Sequence, residues 1–169
     1  MNKEELLTDT SITSAELLKQ VSLFSEEQLN TVPFEGSWTA GQVAEHLNLA
    51  LMADVLYGAT EQTKRQPDEK TQMIKDVFLN FEVKLTTQDF ILPANITYRK
   101  DECIRNLESR WAKINDAVQT LDLSETCTSF SLPVFEEFTR LEWINLFLYH
   151  TQRHIQQLKK IYGKVVLLT

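Results

Sequence analysis

The 169 residues predict an all-α protein: a four-helix bundle with a long crossover between helices two and three. Three observations carry that expectation. Gly and Pro number only four each, too few for a many-turned all-β chain. Apolar residues recur every three or four positions over several long stretches. Ser or Thr followed three residues later by Glu or Gln, the pattern of a capping box, opens several of those stretches. Hydrophobic residues make up 43% of the chain. A chain of this length buries roughly 68–70% of its unfolded surface, so residues 1–169 are expected to form one domain with a core that needs no staple.

The first helix is expected within about Glu4 to Phe24, with Leu17, Leu18, Val21 and Phe24 on its apolar face. Thr13-Ser14-Ala15-Glu16 fits a capping box, which would restart the helix there. Ser25-Glu26-Glu27-Gln28 fits another and opens a short helical turn before Pro33 and Gly36 break the chain. The second helix starts at the capping box Thr39-Ala40-Gly41-Gln42 and is expected to run to about Gly58, with Trp38 and Val43 as a hydrophobic staple. Glu61 to Lys70 reads as a loop, Met73 to Phe81 as a short helix, and Thr86 to Lys100 as irregular.

The third main helix spans about Asp101 to Leu121, where Ile104, Leu107, Trp111, Ile114, Val118 and Leu121 form the clearest stripe in the chain. Ser124 to Pro133 reads as a second irregular connection. The fourth helix runs from Thr139 to about Tyr162, opened by Thr139-Arg140-Leu141-Glu142 and stapled by Phe138 and Trp143, with Gly163 offering a left-handed end. The apolar tail Val165 to Leu168 is expected to fold over a bundle end, with a dimer contact as the alternative. Short loops force antiparallel neighbours, but some forty residues between helices two and three allow those two to run in the same direction. Helix four then runs antiparallel to helix two.

Composition excludes several function classes. Acidic residues exceed basic ones by seven, so a phosphate backbone or an anionic membrane surface is a poor partner. Cys103 and Cys127 lie in no Cys-x-x-Cys motif and read as buried free thiols. The start, Met1-Asn2-Lys3-Glu4-Glu5, shows no basic or apolar targeting segment, and no stretch approaches the ~20 apolar residues of a membrane span. The expectation is a soluble protein of a reducing cytoplasm.

Chemistry has to come from the three histidines. His150 and His154 stand four apart on helix four, so their rings share a face one turn apart and can bind one metal ion. The Glu of the zinc-protease helix is absent from His150-Thr151-Gln152-Arg153-His154. His46 sits roughly 10 Å into helix two, and the midpoint of the pair lies roughly 15 Å before the end of helix four. Antiparallel packing brings all three to one level, whereas parallel packing leaves a gap nearer 10 Å. The other reading is that these are surface or satisfied core histidines.

The stretch Gly36-Ser37-Trp38-Thr39-Ala40-Gly41-Gln42-Val43-Ala44-Glu45-His46-Leu47, taken with Trp143 through Leu158, resembles the DinB-like (DinB/YfiT-like) superfamily of metalloenzymes. The resemblance covers the whole chain in layout and these two segments in detail. It implies a four-helix bundle, commonly a homodimer, with His46, His150 and His154 as the three ligands of a divalent metal. Some relatives transfer low-molecular-weight thiols such as bacillithiol or mycothiol, and others isomerise. No motif assigns this chain to one branch.

Three neutral imidazoles leave Zn, Ni, Fe or Mn with an open position, where a closed structural site would normally use four protein ligands. A metal in such a site lowers the pKa of a bound water or thiol. The leading expectation is therefore a metal-dependent enzyme that activates a thiol or water against a small-molecule substrate, as a small-thiol S-transferase. A hydrolase on the same site and a non-catalytic dimeric bundle with a vestigial site are the alternatives. Gln157, on the stripe of His150 and His154, can orient a ligand or merely pack. Asp54 lies about 80° round a continuous helix from His46 and is a weaker outer-shell candidate. Arg153 is either a solvated charge or a contact for an acidic thiol, while Trp38, Trp111, Trp143 and Tyr149 either wall a pocket or fill the core.

Overall fold

Hydrogen bonding at the helix starts determines where this chain turns helical. In the computed structural model, which describes residues 2–133 and 135–168, Asn2, Ser25, Thr39 and Thr139 each accept the backbone N–H three residues on. Each also donates its own backbone N–H to a side-chain oxygen of Glu5, Gln28, Gln42 and Glu142 respectively, so two orphan donors are satisfied at a time. The helices so opened are α1 (Lys3–Ser22), α2 (Glu26–Asn30), α3 (Ala40–Ala50) and, last in the chain, α6 (Arg140–Val165). Between them come β1 (Thr60–Glu61), α4 (Thr71–Phe78), α5 (Lys100–Thr120) and β2 (Thr126–Cys127). The N-terminal reading includes Met1, which lies outside the described residues.

Helices α1, α3, α5 and α6 are the four of the bundle. Contacts along their length fix their directions. Moving from Gly41 through Asn48 of α3 to Tyr57, in the turn beyond its end, meets Tyr98 just before α5 and then Arg110 and Asp116 within it, so α3 and α5 are parallel. Against α6 the order reverses: His46 meets His150, while Leu56 accepts a bond from Arg140. Helix α1 is antiparallel to α5, with Lys3 reaching the Gln119 carbonyl and Lys100 the Phe24 carbonyl. The crossover expected from loop length is present, and it carries α4 onto α6.

The core runs through all four helices and is closed by large side chains such as Trp111, Trp143, Phe24 and Phe147. The staple of α6 is formed, with the Phe138 and Trp143 rings 5.4 Å apart, edge to face. Both cysteines are buried and unpaired, and burial pushes each thiol up to about 11. Among the described residues, no helix is long and apolar enough to cross a membrane.

Four local expectations change. Helix α1 does not restart at Thr13; the Thr13 hydroxyl is buried and accepts from Gln152 on α6 instead of capping. Helix α3 stops at Ala50, because Leu51 leaves helical dihedrals (φ −77°, ψ 64°), and the chain continues as a 3-10 turn over Ala53–Tyr57. Helix α6 passes through Gly163 to Val165; positive φ occurs at Gly36 but not at Gly163, so no left-handed end forms there. Of the tail, only Val165 packs down, while Val166, Leu167 and Leu168 are exposed. The two-residue strands β1 and β2 pair antiparallel where the crossover passes the base of α6, and strands so short leave no periodic signal.

Candidate metal centre

Helix α3 contributes His46 and helix α6 contributes His150 and His154, and antiparallel packing brings the rings to one level. All three are buried. Nε2 of His150 lies 3.1 Å from Nε2 of His46 and 2.9 Å from Nε2 of His154. The three ring pairs stand 4.6–5.0 Å apart, each edge to face.

The far side of two rings determines their tautomers. His46 Nδ1 is 2.8 Å from the carbonyl oxygen of Ile91, in a 3-10 turn of the crossover over Asp89–Ile91. A carbonyl only accepts, so Nδ1 carries the proton and Nε2 keeps its lone pair. His154 Nδ1 is likewise 2.7 Å from the amide oxygen of Gln157. Burial holds all three imidazoles neutral. His46 is lowered from its ordinary value and His154 down to about 3, both chiefly by desolvation. His150 falls well below its ordinary value through desolvation and its two neighbouring rings.

The cluster therefore cannot satisfy itself. A proton on His150 Nε2 can serve one neighbour, and the other pair is left lone pair against lone pair in a buried site. A cation removes that conflict. Three imidazole donors suit a divalent ion, and ligands about 2.0–2.1 Å from a tetrahedral centre stand roughly 3.3–3.4 Å apart, close to the spacing here. His46, His150 and His154 could hold such an ion. Ile91 and Gln157 supply the outer hydrogen bonds that metal-binding histidines ordinarily have.

The rings face a cavity of about 890 Å³. Trp38 leans on His46 and Phe78 on His150, with centroids 5.1 and 5.2 Å apart. Trp38 and Trp143 line the cavity; Trp111 and Tyr149 are buried in the core away from it. Arg153 is not a free solvated charge. It donates to the carbonyls of Phe78, Asn80 and Val83, pinning the end of α4 and the following segment over the site. Among the described residues, no Asp or Glu lines the cavity.

Asp54 is placed elsewhere. It opens the 3-10 turn after α3, its side chain is 74% exposed, and it pairs with Lys113 and Arg110 of α5. The angle of about 80° from His46 already set it off the ligand face, and it assumed a continuous helix, which ends four residues earlier. Glu142 is part of the α6 cap, and it also takes a bidentate ion pair from Arg65 that lies far away in sequence. The Ile91 carbonyl carries no sequence signal, since every residue has one. The cavity wall from the crossover was hidden for a related reason: Leu85 to Ile91 are neither periodic nor capped.

Fold comparison places the bundle beside two solved structures. One is YfiT from Bacillus subtilis, described as "a probable metal-dependent hydrolase with an unusual four-helix bundle topology", with a TM-score of 0.59 at 18% identity over 95% of this chain and 86% of that one. The other is TT2238, a four-helix bundle protein, with a TM-score of 0.57 at 20% identity over 94% and 99%. At these identities the likeness is one of fold. In sequence, the uncharacterized protein YuaE of Bacillus subtilis is 25% identical over 143 residues, covering 83% of this chain and 87% of its own length. The model of the DinB superfamily matches residues 10–158, from the middle of α1 to beyond the second histidine of α6, and by that match the chain belongs to the DinB superfamily.

Proposed function

We propose that the protein is a metal-dependent enzyme in which His46, His150 and His154 hold a divalent ion whose open position activates a low-molecular-weight thiol for transfer to a small electrophile. The observation that carries this reading is the convergence of three neutral Nε2 atoms beneath a cavity whose wall, among the described residues, holds no carboxylate. When bound, the ion supplies Lewis acidity that lowers the pKa of a coordinated thiol toward neutrality. A thiol needs no further base to ionise there, whereas metal-assisted hydrolysis ordinarily recruits a carboxylate to move the water proton. The thiolate attacks the electrophilic carbon, the S–C bond forms, and the leaving group departs with the bonding pair. The thiol proton goes to solvent.

The surrounding groups set this up before substrate arrives. The Ile91 carbonyl and the Gln157 side chain fix the rings of His46 and His154, and Trp38 and Phe78 pack against the rings of His46 and His150. The fold shared with YfiT favours the hydrolase as a second reading. Protein purified without an affinity tag is expected to carry about one metal ion per chain by elemental analysis. His150→Ala should lose the ion and the activity together. Cysteine and larger small thiols tested against 1-chloro-2,4-dinitrobenzene should show metal-dependent turnover. Thiol-independent hydrolysis of esters or amides by the loaded protein would select the hydrolase, and a protein that takes up no metal would end both readings.

A further inference from the structure

The charge of the cavity wall runs against the charge of the chain. Acidic residues outnumber basic ones 24 to 17, yet the charged side chains lining the cavity are Lys84, Arg153 and Lys160, all cationic. Arg153 is fixed by backbone carbonyls, and no acid among the described residues pairs with its charge. Lys84 and Lys160 are exposed, and neither forms an ion pair among the described residues. Lys84 follows the segment that Arg153 pins, and Lys160 lies on α6 one turn beyond Gln157. The three neutral histidines add nothing negative. A low-dielectric cleft lined by one sign of charge focuses that field on whatever enters.

The rest of the wall is apolar, and part of it is open to solvent. Phe34, Met73, Phe81 and Phe90 all line the cavity and are 43–58% exposed. Exposed aromatic surface at the mouth of a cavity is covered when an apolar ligand enters. We propose that the electrophilic substrate is an organic anion with an apolar body, its anionic group held by Lys84 and Lys160 at the mouth and its body laid against these apolar residues. The inference rests on the reading of this cavity as the substrate site, and its test is independent of the metal.

Four probes with the same chain separate the terms: decanoate, decyl phosphate, 1-decanol and decylamine. Binding is measured by calorimetry on the protein both zinc-loaded and chelator-stripped. In the stripped protein, decanoate and decyl phosphate should bind about tenfold more tightly than 1-decanol, the sum of two partly exposed charge pairs, and decylamine should bind most weakly. The variant Lys84→Gln/Lys160→Gln should erase the preference while leaving zinc uptake unchanged; both side chains are exposed, so the fold is not at risk. The ratio of decanoate to decyl phosphate tells which anion the lysines favour. Equal binding of all four probes, or binding of none, would overturn the proposal. Anion binding that needs zinc and ignores the lysine substitutions would overturn it too, leaving the metal reading intact. A lysine-dependent preference in a protein that takes up no zinc would preserve this inference and end the other.

Discussion

Helix α6 carries two buried polar clusters, and they differ in whether they can satisfy themselves. At its start, the two oxygens of Glu142 receive four donors: both terminal nitrogens of Arg65 at 2.6 Å, the Lys70 N–H at 2.8 Å and the Thr139 N–H at 3.0 Å. Its charge is met by one guanidinium, and every acceptor site is used. Two to three turns on, three Nε2 atoms meet with too few protons to go round. The first cluster is complete as protein alone and reads as architecture, tying the Arg65–Lys70 loop to the helix. The second is complete only with a cation, and it faces a cavity.

That contrast is broken most directly at Glu142. Glu142→Leu leaves Arg65 three-quarters buried without a counter-charge and orphans two backbone donors. Loss of one partner of a buried pair costs about 3–5 kcal/mol. Urea unfolding should show that fall while the variant, at temperatures where it stays folded, binds metal in the same ratio as wild type. A fall below about 1 kcal/mol would mean that the cluster does not hold the Arg65–Lys70 loop to the helix.

Metal removal tests the other side. A ligand present at a hundred times its dissociation constant stabilises by about 2.7 kcal/mol. For a chain of this size that corresponds to roughly 5–10 °C in Tm. Zinc should raise the melting temperature of chelator-stripped wild type by this amount and leave His150→Ala unmoved. An equal rise in both proteins would place the ion somewhere else.

Gln157 sharpens the comparison, because it contributes one hydrogen bond to His154 and no charge. Gln157→Leu should weaken zinc binding 10- to 100-fold, as outer-sphere partners typically do, without abolishing it. Competition with a chromophoric chelator measures this. Unchanged affinity would leave Gln157 as packing.

The two clusters also differ in how far sequence reveals them. Thr139-x-x-Glu142 is local, so the cap is visible in four residues, but Arg65 pairs with it across a loop that no spacing encodes. His150 and His154 announce a shared face by their separation of four. His46 joins them only through the direction of α3, which loop length implied and the order of contacts along α5 and α6 now establishes. Expectations failed where tertiary context replaced a local preference. Thr13 had a cap to make and instead meets Gln152; Gly163 could have ended α6, but the helix runs on to bury Val165. Asp54, a weak candidate on a continuous helix, lies beyond the true end of α3 and pairs with α5, while the Ile91 carbonyl and the cavity wall come from a crossover without periodicity.

The mildest test is pH. The histidines have lowered folded-state values, so between those values and about 6.5 the unfolded chain binds more protons than the folded one. Their contribution to stability is fully present above 6.5 and is lost as pH falls through that window. Between pH 7.5 and 6.0 the loss is about 0.8 kcal/mol for each imidazole that stays neutral in the fold. Urea unfolding of the metal-free protein at the two pH values should show it, and His150→Gln should flatten the dependence by one imidazole's share. In the presence of zinc the stability should rise at both pH values while the slope stays the same, because the folded rings are already unprotonated and take up the ion without releasing a proton. A metal-free protein more stable at pH 6.0 than at 7.5 would mean that the rings already share a proton, and the cluster would then close on itself as the Glu142 site does.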